Sequence, residues 1–256
     1  MAEFKLDPTT LRDDVFVLSE IQQDFEKIYL KVREKEKRIY PDEELLNLPF
    51  ASNSNPHKAE WKLRCKSFER FYGYLNFKKQ NLNILDLGCG NGWFSGQLSK
   101  SFNHFFYCVD VNLTELKQGR KNFKSDKLKF IYSDIYSSKI PNSYFDIIIV
   151  NAAVQYFPDF KKLINRLLVL LDGKGEIHLI DSPIYFEDEA KKAKQRTLNY
   201  YSLLGFPEMS DNYFHHSWNE LKEFKYKILY DPLANMNRFK RVFTKDSPFP
   251  WISITH

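Results

Sequence analysis

At 256 residues, with 43% hydrophobic and 28% charged residues and a net charge of +5, the chain suits one core domain with an appended cap and an ordinary soluble surface. No run of about 18 apolar residues occurs, so no membrane-spanning helix is expected. The polar start MAEFKLDPTTLRDD lacks the apolar stretch of a secretory signal, and Cys65, Cys89 and Cys108 form no C-x-x-C pair. The expected compartment is therefore the reducing cytoplasm. Lysine-rich stretches at 31–38 and 189–196 mix signs at helical spacing, as solvated helix faces do, so nucleic acid is not an expected partner.

In chain order, Leu11, Val15, Leu18, Ile21, Phe25 and Ile28 recur at spacings of three and four and predict a helix over 9–38. Pro41, Pro49 and Pro56 punctuate a segment whose Asn- and Ser-rich part, 47–56, reads as a loop. A second helix is predicted over 57–76, with Trp61, Cys65, Phe68 and Phe71 along one side. Residues 1–80 are thus expected to form a helical cap. From residue 82 short apolar runs alternate with helical stretches, which implies crossover connections and a parallel sheet covered on both faces. FDIIIV is apolar nearly throughout, as a central buried strand should be. KYKILY and WISIT near the C-terminus bring the expected strands to seven, the last antiparallel. The expected core is 81–256, with a lid-like insertion over 182–217.

The sharpest local signal is ILDLGCGNGWFSGQL. A strand ends at Asp86, glycines follow at Gly88, Gly90 and Gly92, and a helix opens near Trp93. Such glycines permit a sharp turn and a close ligand approach. A dinucleotide fingerprint would require glycine where Trp93 stands. An acidic residue before the first glycine repels a pyrophosphate and suits a ligand that carries an ammonium group instead. The next strand ends at Asp110, placed to accept from ribose hydroxyls, with Val111 beside it. The third ends in Ser133-Asp134-Ile135, where an acid and a backbone N–H can meet an adenine. All three lie at the carboxyl edge, where open α/β sheets bind ligands.

On these residues the stretch from about 82 to 185 resembles the class I, Rossmann-like S-adenosylmethionine-dependent methyltransferases, in particular their small-molecule branch. D-x-G-x-G-x-G is present as Asp86, Gly88, Gly90 and Gly92, with Cys89 inside it. Asp110 matches the ribose acid and Asp134 the adenine-side acid, while SYFDIIIVN matches the fourth strand, with Asn151 to Val154 forming the loop beneath the methionine portion. The resemblance implies a Rossmann-like seven-stranded α/β sheet, S-adenosyl-L-methionine as cofactor, and methyl transfer to an O or N nucleophile of a small molecule by in-line displacement. It covers residues 1–76 hardly at all.

For the acceptor, His215 and His216 titrate in a useful range and are candidate bases. Ser217 followed by Glu220 also reads as a capping box, which would make that stretch structural. Tyr156, after the fourth strand, is expected to touch the methionine or the acceptor, and His178 to be structural. The chain reads Asn151-Ala152-Ala153-Val154 where DNA amino-methyltransferases carry N/D-P-P-Y/F, and no spacing of metal ligands stands out, so no metal is expected. Methylation of a tRNA base or a protein, and cofactor binding without turnover, stay open as alternatives.

Overall fold

In the computed structural model, which describes residues 4–78, 81–235, 237 and 245–256, the chain opens with two short strands, β1 (Leu11–Arg12) and β2 (Val15–Val17). Three helices follow: α1 (Gln23–Lys35), α2 (Asp42–Asn47) and α3 (Lys58–Leu75). Then comes the alternation: β3 (Asn83–Leu87), α4 (Trp93–Ser99), β4 (Phe105–Asp110), α5 (Leu113–Asn122), β5 (Leu128–Tyr132), β6 (Phe145–Asn151), α6 (Phe160–Leu170) and β7 (Leu171–Ile180). The insertion carries α7 (Glu187–Leu204) and leads through α8 (Trp218–Leu221) to β8 (Lys225–Tyr230) and β9 (Trp251–Thr255).

Among the described residues the strands form one sheet in the order β1-β2-β5-β4-β3-β6-β7-β9-β8. From β2 to β7 the pairings are parallel, and β9 runs antiparallel between β7 and β8. Alternate residues of the central strands feed two apolar layers. Ile84, Phe106, Cys108, Phe130 and Ile149 pack under α3 and α4. Leu85, Tyr107, Val109, Ile148 and Val150 pack against α6, whose Leu163, Ile164, Leu167 and Leu170 recur on one face and are fully buried. Burial on both faces explains why β6 is apolar through its middle, from Ile147 to Val150. Between β3 and β6 the strand order reverses, and their carboxyl ends part to leave a crevice.

The N-terminal segment departs from the helix expected over 9–38. Only Gln23–Lys35 is helical, while residues 11–17 form a hairpin whose second strand pairs in parallel with β5. The sheet therefore has nine strands rather than seven. Val15 and Leu18, three apart and so read as one helical face, lie in the apolar layers on opposite sides of the sheet. The β-branched Val15-Phe16-Val17 run and an open sheet edge outweighed the helical spacing. Helix α3 matches its expected span, and its Trp61, Phe68, Phe71 and Leu75 are buried in the sheet's own apolar layer.

Candidate functional site

The strand ends β3, β4, β5 and β6 open into a cavity of about 430 Å³, within the size range of small-molecule sites. Asp86, Gly88, Cys89, Gly90, Asp110, Val111, Asp134, Ile135, Asn151 and Tyr156 all line it. Gly92 does not. Asp110 is fixed by the loop it faces: one carboxylate oxygen accepts from Gly90 N at 2.7 Å, the other from Asn112 N at 2.9 Å. Asp134 lines the wall nearer β5 and accepts from Tyr136 N at 2.9 Å. Arg166 braces this wall from behind, donating to Ile135 O and Ser137 O at 2.9 Å each.

The three glycines serve different needs. A Cβ at Gly88 would stand 2.4 Å from Ala153 Cβ, and one at Gly92 2.5 Å from the Phe130 ring, so both positions are closed by protein packing. At Gly90 the nearest atom would be Glu115 Oε2 at 3.3 Å. Gly90 lies on the cavity wall at φ +55°, a conformation that disfavours any other residue.

The crevice is acidic. Asp86 is 1% exposed, accepts from Ser95 Oγ at 2.6 Å, and is pushed by burial up to about 6. Burial also raises Asp110, against the lowering effect of the Gly90 N–H. Glu115, the first-turn acid of α5, is pushed up to about 7 by burial and by the Asp110 charge. Sequence reasoning missed Glu115, although its position five residues beyond the β4 carboxylate placed it near the crevice. Asn151 Oδ1 is buried on the floor and has no hydrogen-bond partner among the described residues.

The cavity is roofed from the N-terminal segment, where the sequence predicts a helical cap but points to no particular site residue. Phe25, Glu26, Tyr29 and Arg33 of α1 line it, as do Arg38, Tyr40, Trp61 and Arg64. Arg33 donates to the Tyr156 hydroxyl and to Glu36, and its guanidinium lies 4.7 Å from the Tyr29 ring centre. Tyr156 meets Tyr29 and Tyr213 edge-on, each at 5.8 Å.

The histidine pair stands behind this wall rather than in it. His216 is 3% exposed, with Nε2 at 3.1 Å from Val154 O and Nδ1 at 3.5 Å from Glu220. Both ring nitrogens thus face the protein. His215 Nε2 meets Thr197 Oγ1 at 2.9 Å, and burial lowers its pKa. The capping box of Ser217 and Glu220 is formed. His178 lies in β7, where its Nδ1 accepts from Trp251 Nε1 at 3.1 Å.

Residues 78–245 match the family model described as a methyltransferase domain. The chain belongs to this methyltransferase family. Among curated proteins the domain is similar to a malonyl-[acyl-carrier protein] O-methyltransferase of Acetivibrio thermocellus, 26% identical over 161 residues, covering 60% of this chain and 56% of that one. The chain spans about half the length of the curated relatives it matches. Among solved structures the domain resembles the YcgJ protein from Bacillus subtilis, with TM-score 0.54 at 15% identity, covering 74% of this chain and 98% of that one. It also resembles a plantazolicin methyltransferase in complex with a pentazolic analogue and SAH, with TM-score 0.52 at 17% identity, covering 92% and 100%. At these identities the structural likenesses establish the fold.

The domain's cofactor is S-adenosyl-L-methionine, and the crevice fits it on three counts. Asp110 is a fixed, inward-lining carboxylate that would accept from ribose hydroxyls. Gly90 keeps the wall bare. Asp86 and Asn151 Oδ1 would offer oxygens to the methionine ammonium.

Proposed function

We propose that this methyltransferase domain transfers the cofactor's methyl group to an O or N nucleophile of a small molecule, which enters beside Tyr156 beneath the cover formed by α1 and the 182–217 insertion. The observation that carries this reading is the wall on the acceptor side, where Arg33, Tyr29 and Tyr156 line the cavity and touch one another and Tyr213 backs Tyr156. Such a pocket suits a small substrate better than a macromolecular groove. Relatives described as O-methyltransferases of malonyl-[acyl-carrier protein] support an oxygen acceptor.

When bound, the cofactor supplies an activated methyl group on a sulfonium. The protein's own work is then alignment and exclusion of water. Asp110 and Gly90 hold the ribose end, Asp86 and Asn151 the ammonium, and the Tyr156 hydroxyl orients the acceptor while Arg33 holds that hydroxyl in place. Labelled S-adenosylmethionine, offered with a panel of small acids, phenols and amines, tests this directly. Label should pass to a small acceptor and fail to pass in Tyr156→Ala. Label appearing only in tRNA or protein, or no transfer despite tight SAH binding, would replace this reading with one of its alternatives.

A further inference from the structure

The methionine end of the cofactor carries a carboxylate beside its ammonium, and the glycine loop has little left with which to bind it. Gly88 N and Cys89 N donate to Val109 O at 2.8 and 3.4 Å, and Gly92 N donates to Cys89 O at 2.9 Å. Gly90 N is committed to Asp110, and Trp93 N to the Asn91 side chain. The floor of the cavity is lined with carboxylates that would repel another one.

The opposite wall is cationic. Arg33, Arg38 and Arg64 all line the cavity, and Glu36 and Glu60 form ion pairs with them. Glu60 accepts from Arg38 at 3.1 and 2.6 Å and from Arg64 Nε at 2.9 Å. Glu36 and Tyr156 occupy Arg33. The terminal amino groups of Arg64 make no hydrogen bond to the described residues, and its guanidinium is held 5.3 Å from the centre of the Trp61 ring. Arg38 Nε is buried without a hydrogen bond to the described residues, and the nearest Glu36 oxygen stands at 3.4 Å. Asp181 and Glu115 also act on Arg64 and Arg33 through their charges, so what stands free is donor capacity: the two terminal amino groups of Arg64 form a planar fork that matches a carboxylate. One turn further along α3, Ser67 donates to Asp181 just past β7, at 2.6 Å, so Arg64 lies on the side of the crevice away from β5 and the adenine wall.

We propose that Arg64, with Arg38 beside it, forms a carboxylate-binding subsite at the methyl-transfer end of the cavity. The proposal rests on the methyl-transfer reading above. Two carboxylates have this chemistry: the cofactor's own and that of an acidic acceptor. Calorimetry on the wild type, Arg64→Gln, Arg64→Lys and Arg38→Gln separates them, with thermal unfolding as a check on folding. The probes are SAH, 5′-methylthioadenosine (which lacks the amino-acid portion) and malonate, the last titrated with and without saturating SAH. If the subsite holds the cofactor, Arg64→Gln weakens SAH more than tenfold and leaves 5′-methylthioadenosine unchanged. If it holds an acceptor, both nucleosides bind as before while malonate binding to the SAH-saturated protein is lost. Arg64→Lys recovers part of either effect, and Arg38→Gln gives a smaller version of it. Equal loss of SAH and 5′-methylthioadenosine, or no change with any probe, overturns the subsite. Absence of nucleoside binding in the wild type would instead sink the methyl-transfer reading, and malonate binding to the free protein, lost or kept in Arg64→Gln, would still decide the subsite.

Discussion

The sheet and the cover over its crevice are both apolar inside, yet they are held in different ways. The sheet is packed from both sides by large layers of buried residues, and α3 adds Trp61, Phe68, Phe71 and Leu75 to one of them. The cover closes over Val32, Tyr201 and Met209, with partly buried tyrosines around them. Much of its attachment is polar. Gln22 N donates to the Tyr132 hydroxyl at 2.7 Å and Glu26 accepts from Thr114 N and Oγ1 at 2.9 and 2.7 Å, while within the cover the Tyr200 hydroxyl donates to Glu36 at 2.6 Å. A region held this way can open while the sheet stays folded, and a cofactor enclosed beneath α1 needs some such opening to enter and leave.

The largest effect expected from this contrast is on the sheet side. Phe71 is fully buried and packs against Phe94, His178 and Trp251 at ring distances of 5.3 to 5.9 Å. Phe71→Ala should cost about 3–5 kcal/mol of global stability in urea unfolding. A loss below about 1 kcal/mol would mean that α3 belongs with the cover rather than with the sheet.

Next comes the crevice itself. Asp110→Ala removes an acceptor that two backbone N–H groups hold in place. SAH binding should weaken more than tenfold, equivalent to about 1.4 kcal/mol or more. Unchanged affinity by calorimetry would remove the ribose assignment. Gly90→Val should do at least as much harm, since φ is +55° there.

A smaller effect is set by pH. Burial holds Asp86 up at about 6 in the free protein, while an unfolded chain titrates near ~3.9. The folded free protein therefore binds this proton more tightly, and the fold loses the corresponding stability as pH rises from about 4 through 6. The ammonium of SAH reverses the preference. Affinity should climb with pH below 6, by up to about tenfold per unit, and level off above it. In Asp86→Asn the slope should shrink, and what remains belongs to Glu115 and Asp110 in the same crevice. A wild-type affinity independent of pH from 5 to 7 would mean that the ammonium is held elsewhere.

The two regions also differ in how far they can be read from sequence. The strand ends follow one another in a fixed order along the chain, so the place of Asp86, Gly90, Asp110, Asp134 and Asn151 on the cavity wall is legible in the sequence alone. The cover is legible only as a cap, without the residues that face the cavity. Arg33 sits in a charged helical stretch that looks solvated and Arg64 on a helix read for its apolar side, and only the fold of α1 and α3 over the crevice turns them inward. Val15 and Leu18 carry a helical spacing that the sheet edge overrides. The histidine pair stands out by its titration range alone, whereas burial and a carbonyl partner are properties of the folded insertion. Local pattern reveals residues that bind through their own strand ends; it misses those brought in by a distant helix.

The smallest global effect should come from the cover's own core, and it is the sharpest test of the contrast. Met209 is fully buried beside Tyr201 and Val32. In a single cooperative unit, Met209→Ala would lower global stability by about 2–5 kcal/mol, as buried methionines usually do. If the cover opens separately, its loss is already complete before the sheet unfolds. A probe on the sheet should then shift by less than about 1 kcal/mol, while amide exchange in α1 and α7 accelerates by the full amount. SAH should slow that exchange in both helices, because the ligand binds only when the cover can close on it. A sheet transition that falls as far in Met209→Ala as in Phe71→Ala would make cover and sheet one unit, and entry of the cofactor would then need a different route.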